Sequence, residues 1–192
     1  MKTYNINAVF LPVTVLLFGL AASMSTGWLH AEEKTMLTIQ SSAFTDAGEI
    51  PERYTCEGND VAPPLAWSGV PEDTRSLVLI VDDPDAPDPQ APQMTWVHWV
   101  LYNMSPQTGD LPEGATAGEL PPGAEQGLND WQKIGYGGPC PPIGRHRYFH
   151  KLYALDTVLE LQAGATKAAV EAAMQGHILE QAELVGTYRK SR

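Results

Sequence analysis

Basic residues are scarce in this chain of 192 residues, which contains 12 Lys and Arg against 23 Asp and Glu. Residues 1–31 hold one of the basic residues and none of the acidic ones, so residues 32–192 have a formal charge of −12. Nucleic acids and anionic membranes attract clustered Lys and Arg and repel an acidic surface. The composition therefore argues against a nucleic-acid-binding protein.

Several enzyme motifs are also missing. The chain has neither the G-x-S-x-G turn that presents a nucleophilic serine nor the H-E-x-x-H pair that binds zinc. Cys140 is the one plausible nucleophile with a histidine nearby. We therefore predict no enzymatic activity, no metal and no other cofactor. The alternative is a small hydrolase or metal-dependent enzyme that uses Asp83, His98 and His146, a set whose two imidazoles and one carboxylate would suit zinc.

No apolar run is long enough for a transmembrane helix. The longest, Ala8 to Ala22, has about 15 residues and contains Pro12, whereas a membrane-spanning helix needs roughly 20. It follows Lys2 and precedes small and polar residues, which is the layout of a secretory signal peptide. An uncleaved anchor is the alternative interpretation.

Cleavage of this segment after Ala31 would leave 161 residues, a normal size for one domain. Cleavage nearer Ser23 to Ser25 is the alternative. We therefore predict a signal peptide at residues 1–31 and a single domain at residues 32–192, periplasmic or secreted, without a transmembrane anchor after processing.

Only two cysteines are present, Cys56 and Cys140, which is too few for a disulfide scaffold. An exported protein enters an oxidising compartment, where an even number of cysteines favours pairing. We predict a disulfide between Cys56 and Cys140, with two separate buried thiols as the alternative.

Short apolar and β-branched runs alternate with turns, since Pro and Gly supply 33 residues without any repeat. Strands are predicted at Met36–Ile39, Leu77–Val81, Trp96–Tyr102 and Arg147–Leu155. The segment Gln107–Ile134 has no sustained periodicity, which predicts an irregular surface loop that is either functional or mobile.

The C-terminal segment has helical spacing instead. Thr166 is positioned to cap a helix, and the apolar residues from Ile178 to Val185 predict a second short helix that ends at Gly186. Strands followed by helices favour an all-β or α+β domain over an alternating α/β one.

Polar functional groups are concentrated in three segments at the edges of predicted strands: Asp82–Pro87, Trp96–Trp99 and Tyr136–Tyr148. Residues of one strand that are two apart share a face, so His146, Tyr148 and His150 lie together, and His98 lies beside Trp96. A histidine flanked by Trp and Tyr predicts a small aromatic-lined pocket.

The ordered set of DPDAP at Asp83–Pro87, W-V-H-W at Trp96–Trp99, GPCPP at Gly138–Pro142 and HRY at His146–Tyr148 resembles the phosphatidylethanolamine-binding protein family. The bacterial, Raf-kinase-inhibitor-like branch is the most similar. The resemblance implies a mostly β, sandwich-like fold with short flanking and C-terminal helices. It further implies a pocket for a phosphate-bearing small molecule or phospholipid head group, and a possible protein partner such as a kinase or a peptidase.

Carried over residue by residue, this resemblance places an anion-binding pocket at the following positions: Asp83, Asp85, His98, Gly138, His146 and Tyr148. It also implies cis peptide bonds at Asp83–Pro84 and Ala86–Pro87. The two histidines and the backbone amides around Gly138 would bind the anion, while Asp83 orients a histidine ring. With a histidine pKa of ~6.5, anion affinity would decline over roughly pH 6 to 8.

Overall fold

The computed structural model describes residues 1–2, 36–115 and 119–191. The predicted signal peptide, with the apolar run Ala8–Ala22 and the cleavage site at Ala31, lies outside the described residues. Within the described part of the chain, no helix has the length and apolar character needed to cross a membrane.

Two antiparallel sheets form the fold. The strands are β1 (Thr38–Gln40), β2 (Leu65–Ser68), β3 (Ser76–Ala86), β4 (Met94–Met104), β5 (Asp110–Leu111), β6 (Glu125–Gln126), β7 (Arg145–Leu155) and β8 (Ile178–Arg189). The small sheet has the order β1-β2-β5 and the large one the order β6-β4-β3-β7-β8. A 3-10 turn at Glu52–Tyr54 and one helix, α1 (Lys167–Met174), accompany them.

Strand β3 lies at the centre of the large sheet and is covered on both faces, as its continuous apolar run predicts. Leu77, Leu79 and Val81 pack into a core shared with the small sheet. Val78 and Ile80 pack on the opposite face, in a second core that includes α1. The prediction of a mostly β, sandwich-like fold is confirmed.

Helix α1 begins where the sequence predicts, since the Thr166 hydroxyl accepts a hydrogen bond from the Ala169 amide. The prediction of a second C-terminal helix is wrong, because residues 178–189 form β8 and pair with β7 along its length. Ile178 and Leu179 are exposed rather than packed as one helical face. Pairing with a long neighbouring strand overrides the local helical spacing.

The segment Gln107–Ile134 is mostly irregular over its described residues, as predicted, but β5 and β6 fix it to the two sheets. Leu111 and Gln126 are buried there. One of the two predicted cis bonds is also wrong. Ala86–Pro87 is cis, whereas Asp83–Pro84 lies inside β3 and is trans, because the strand continues through it to Ala86.

The two cysteines form the predicted disulfide. Cys56 and Cys140 have Cα atoms 5.4 Å apart and are separated by 84 residues in sequence. The Cys56 amide also donates a hydrogen bond to the Pro139 carbonyl. The bond therefore joins the segment after the 3-10 turn to the segment before β7.

We expect thiol titration of the denatured, unreduced protein to find no free thiol, and two reactive thiols per chain would contradict the pairing. The Cys56→Ser/Cys140→Ser variant should be less stable by about 4.5 kcal/mol in the chain-entropy model, because the open chain gains conformational freedom when unfolded. Urea unfolding of the variant and of the unreduced wild type would measure this loss. The reduced wild type serves as the control and should be about as stable as the variant.

Candidate functional site

A cavity of about 310 Å³ opens where β3, β4 and the segment before β7 meet. Its walls are mostly apolar and aromatic, and the acidic and imidazole side chains among its lining residues are one aspartate and two histidines. The lining residues are Asp83, Ala86, Pro87, Met94, Trp96, His98, Trp131, Cys140, Pro141, Pro142 and His146.

His146 is fully buried and is held at both ring nitrogens. Its Nδ1 lies 2.7 Å from Oδ2 of Asp83, and its Nε2 lies 3.0 Å from the Ile143 carbonyl oxygen. Both neighbouring atoms are oxygen acceptors, so each ring nitrogen that carries a proton has a partner. Asp83 also accepts the Asp85 amide at Oδ1, 2.8 Å away. Its carboxylate therefore orients His146, which is the role that the sequence suggests for it.

Burial raises the pKa of the Asp83 carboxyl group, and the hydrogen bond from His146 acts in the opposite direction. The desolvation cost of the carboxylate is thus partly offset by its two donors. The pair is a buried polar unit at the floor of the cavity, because neither side chain has appreciable contact with solvent.

His98 differs from His146 in that only one of its two ring nitrogens has a hydrogen-bond partner. Its Nδ1 lies 2.6 Å from the Gly137 carbonyl oxygen, so that nitrogen carries the proton, and its buried Nε2 has no partner. Burial lowers the pKa of His98 to about 4. Near pH 7 the ring is therefore neutral and Nε2 is a bare acceptor.

Tyr148 lies against His98, with ring centroids 5.1 Å apart in an edge-to-face arrangement. Its hydroxyl group is buried without a partner, and burial is the main cause that raises its pKa. The indole Nε1 of Trp96 is likewise buried and unpartnered. Trp96 and His98 line the cavity, whereas Tyr148 is not among the lining residues and packs against His98. Each of the three side chains leaves one buried polar atom unsatisfied.

Two residues of the predicted site have other roles. Asp85 binds Arg147 through two bonds, Nε to Oδ2 at 2.9 Å and Nη2 to Oδ1 at 2.7 Å, and this ion pair lowers its pKa. The amide of Gly138 donates to Oδ1 of Asp60 over 2.7 Å. A side chain at position 138 would lie 2.5 Å from the Tyr54 carbonyl oxygen, so the glycine permits close packing.

The sequence-based site did not include Trp131. Its indole ring contacts those of Trp96 and His98, with centroids 5.3 Å and 5.1 Å apart. Asn129 builds the turn beneath it by accepting the Trp131 amide at 3.0 Å, and Asp130 fixes the turn to β4 by accepting the Val97 amide at 2.7 Å. An Asn-Asp pair before an aromatic is a turn signal that indicates such a residue.

Most of the groups that a hydrolase or a metalloenzyme would use in this cavity are already engaged, and His98 Nε2 is the exception. His146 has both nitrogens engaged, and Cys140 is in the disulfide, so neither offers a free lone pair or thiolate. The described residues contain no cluster of three His, Cys, Asp or Glu side chains arranged for a metal ion.

His150 lies outside the cavity. It belongs to β7, which lies between β3 and β8 in the large sheet. The centroid of its ring is 5.4 Å from that of Phe44, and its Nε2 has no partner. Burial lowers its pKa to about 4. This histidine therefore occupies the place of a core aromatic residue.

The model of the phosphatidylethanolamine-binding protein family matches residues 40–189, which is most of the chain. The chain belongs to the phosphatidylethanolamine-binding protein family. Its fold and its cavity lined by Asp83, His98 and His146 lie within that match.

Sequence and structure comparisons agree on this family. A UPF0098 protein of Methanothermobacter thermautotrophicus is 52% identical over 155 residues, which cover 80% of this chain and 99% of the relative. The crystal structure of a phosphatidylethanolamine-binding protein homologue from Chlamydia trachomatis has a TM-score of 0.75 at 45% identity and covers 82% and 99% of the two chains. The crystal structure of YbcL of E. coli has a TM-score of 0.73 at 31% identity, and the match covers 81% of this chain and 99% of YbcL.

The buried histidines predict a stability that falls in acid. An unfolded histidine binds a proton near pH ~6.5, whereas folded His98 and His150 bind one only near pH 4. Between these values the unfolded state binds more protons, so stability is full above pH ~6.5 and decreases as pH falls toward the folded pKa. Each histidine contributes at most about 1.4 kcal/mol per pH unit.

Urea unfolding at several pH values would measure this slope. His150→Phe keeps the ring contact with Phe44 and should reduce the slope, whereas His177→Gln, at an exposed histidine, should not. An unchanged slope in His150→Phe would contradict the assignment.

Proposed function

We propose that this protein binds a phosphate-bearing ligand, such as a phospholipid head group, in the cavity beside Trp131 and performs no catalysis there. Five buried polar side-chain atoms of the described residues lack a partner, and three of them belong to Trp96, His98 and Tyr148. An unsatisfied buried polar atom costs about 1–3 kcal/mol. A ligand that bonds to these three atoms would offset that cost, and this observation carries the proposal.

The three atoms suit a phosphate group. The Tyr148 hydroxyl and the Trp96 indole N–H donate hydrogen bonds to phosphate oxygens. His98 Nε2 accepts from a phosphate that carries a proton, or donates after it takes up a proton itself. The apolar walls formed by Pro87, Met94 and Pro141 provide room for the non-polar part of the ligand.

Local donors rather than overall charge must provide the attraction, because residues 32–192 carry a formal charge of −12. The backbone amide of Gly138 is not among these donors, since Asp60 occupies it. The anion site expected from the sequence therefore shifts toward Tyr148 and Trp96.

Export belongs to the same proposal. The apolar segment Ala8–Ala22 has the layout of a signal peptide, and the Cys56–Cys140 disulfide suits an oxidising compartment. Fractionation of producing cells and N-terminal sequencing should find a periplasmic or secreted protein that begins near Glu32. Full-length protein retained in the cytoplasm would contradict export.

A protein partner such as a kinase or a peptidase is a further part of the proposal. Met94, Trp131 and Ile143 are exposed apolar residues at or beside the mouth of the cavity, where a partner would contact them. A kinase or peptidase that co-purifies with the wild type but not with Met94→Lys would support this contact. Equal recovery of that partner with both proteins would contradict it.

The protonation of His98 predicts the pH dependence of binding. Glycerophosphoethanolamine is a suitable probe, because its phosphodiester has one negative charge and no titrating proton over roughly pH 4 to 8. The protonated ring binds this anion better, so affinity should rise by up to about tenfold per pH unit as pH falls from 8. It should level off below pH about 4, where the free protein is already protonated. This range is lower than the one expected from an unperturbed histidine.

Calorimetric titration tests this result. His98→Gln places an amide N–H near the Nε2 position without a titrating group, so it should bind with little pH dependence. His177→Gln is the matched control at an exposed histidine and should behave as the wild type. Absence of binding at every pH would overturn the proposed function, and an unchanged pH dependence in His98→Gln would overturn the role of His98.

A further inference from the structure

We propose that the corner between Trp96 and Trp131 binds a methylated ammonium group, so that the ligand is a choline-type zwitterion. This inference rests on the proposed function for the phosphate end of the ligand. It adds a separate subsite, and a chemical class, for the other end.

The two indole rings form the walls of this subsite. Both line the cavity, with centroids 5.3 Å apart and planes inclined at 75°. Two aromatic walls near a right angle place a bound cation close to both rings. Aromatic faces attract cations through the ring quadrupole, tryptophan most strongly, and such sites recognise quaternary ammonium groups.

The acceptors of the cavity favour the methylated over the primary ammonium. A primary ammonium has three N–H donors that need acceptors. His98 Nε2 is a free acceptor, but it is a single atom and the proposed function assigns it to the phosphate end of the ligand. Asp83 is the one carboxylate among the described lining residues, and its two oxygens already accept from His146 and the Asp85 amide. Its side chain is 5% exposed. A trimethylammonium group has no donor to satisfy and suits walls of Trp, Met and Pro.

Trp131 is held in place before any ligand arrives. Asn129 accepts the amide of Trp131, and Asp130 exchanges hydrogen bonds with the backbone of Val97 on β4. The indole packs on Gly137, where an added Cβ would lie 2.6 Å from the ring. A fixed wall needs little ordering on binding, which favours affinity.

The overall charge also favours a cationic group. The acidic surface of residues 32–192 attracts cations and opposes anions. A choline phosphodiester is neutral overall and avoids the repulsion that a simple phosphate meets, and in phosphocholine the cation cancels part of the charge of the phosphate.

Three soluble ligands separate the contributions: phosphocholine, phosphoethanolamine and 3,3-dimethylbutyl phosphate, which replaces the choline nitrogen by carbon and removes its charge. With inorganic phosphate as the reference, phosphocholine should bind about three- to thirty-fold more tightly than the carbon analogue, the range that one cation–π site provides. It should also bind more tightly than phosphoethanolamine, whose N–H donors would lose water without finding enough acceptors. Equal affinity for phosphocholine and its carbon analogue would overturn the proposal, because burial of methyl groups alone would then explain the binding.

Two variants at one position are the matched pair. Trp131→Leu keeps an apolar side chain and removes one of the two aromatic walls, so the ratio of the affinities for phosphocholine and for 3,3-dimethylbutyl phosphate should fall well below that of the wild type, and an unchanged ratio would overturn the subsite. Trp131→Phe keeps a weaker aromatic face and should retain part of the preference. Since Trp131 is 38% exposed, both variants are expected to fold, and thermal unfolding checks this.

Two further outcomes separate this inference from the proposed function. Tighter binding of phosphoethanolamine would overturn the choline subsite, because Asp83 would then accept the ammonium, but the proposed function would stand. Failure of every phosphate ligand to bind would overturn both.

Vesicles of phosphatidylcholine test whether the bound choline group belongs to a lipid or to a soluble molecule. Sedimentation of the protein with these vesicles, reversed by free phosphocholine, would support a lipid ligand. Binding of free phosphocholine without sedimentation would support a soluble one.

Discussion

The bond between Asp83 and His146 is the interaction on which the cavity depends, because it joins the end of β3 to the start of β7 across 63 residues of sequence. Asp83 belongs to a group of three aspartates, and its neighbours are bound differently. Asp82 points to the opposite face, where Lys151 and Lys167 bind it at 2.8 Å and 2.6 Å. Adjacent carboxylates repel one another, and the fold stabilises each with its own cationic or donor partner.

This alternation explains how much of the site the sequence could predict. Residues two apart on a strand share a face, so the grouping of His146 with Tyr148 could be inferred from spacing. The orienting role of Asp83 comes instead from the family resemblance and from the cost of placing a carboxylate beside an anion. The partner of Asp85 could not be inferred, because Arg147 lies one residue from His146 and reaches Asp85 only once β3 and β7 are in register. Local spacing also gave the wrong secondary structure for β8, because its strand conformation depends on pairing with β7.

The polar end of the cavity is neutral rather than basic, which changes how an anion would be bound. His98 donates its Nδ1 proton to the Gly137 carbonyl, and burial keeps its pKa near 4, so the ring adds no positive charge near pH 7. Tyr148, which packs against His98, has a hydroxyl group whose proton stays in place at that pH. Recognition then depends on hydrogen bonds in a site of low polarity, where each bond is stronger than it would be in water.

Gly137 connects the polar and the aromatic parts of the cavity. Its carbonyl accepts the Nδ1 proton of His98, and its amide donates to the His98 carbonyl, so it fixes both the tautomer and the backbone of that residue. Its missing side chain leaves the space in which the Trp131 ring lies. The next residue, Gly138, is fixed by Asp60, and Cys140 by the disulfide. A shift of this segment would therefore move the acceptor of His98 and the support of Trp131 together, so one short stretch of backbone sets the distance between the two proposed subsites.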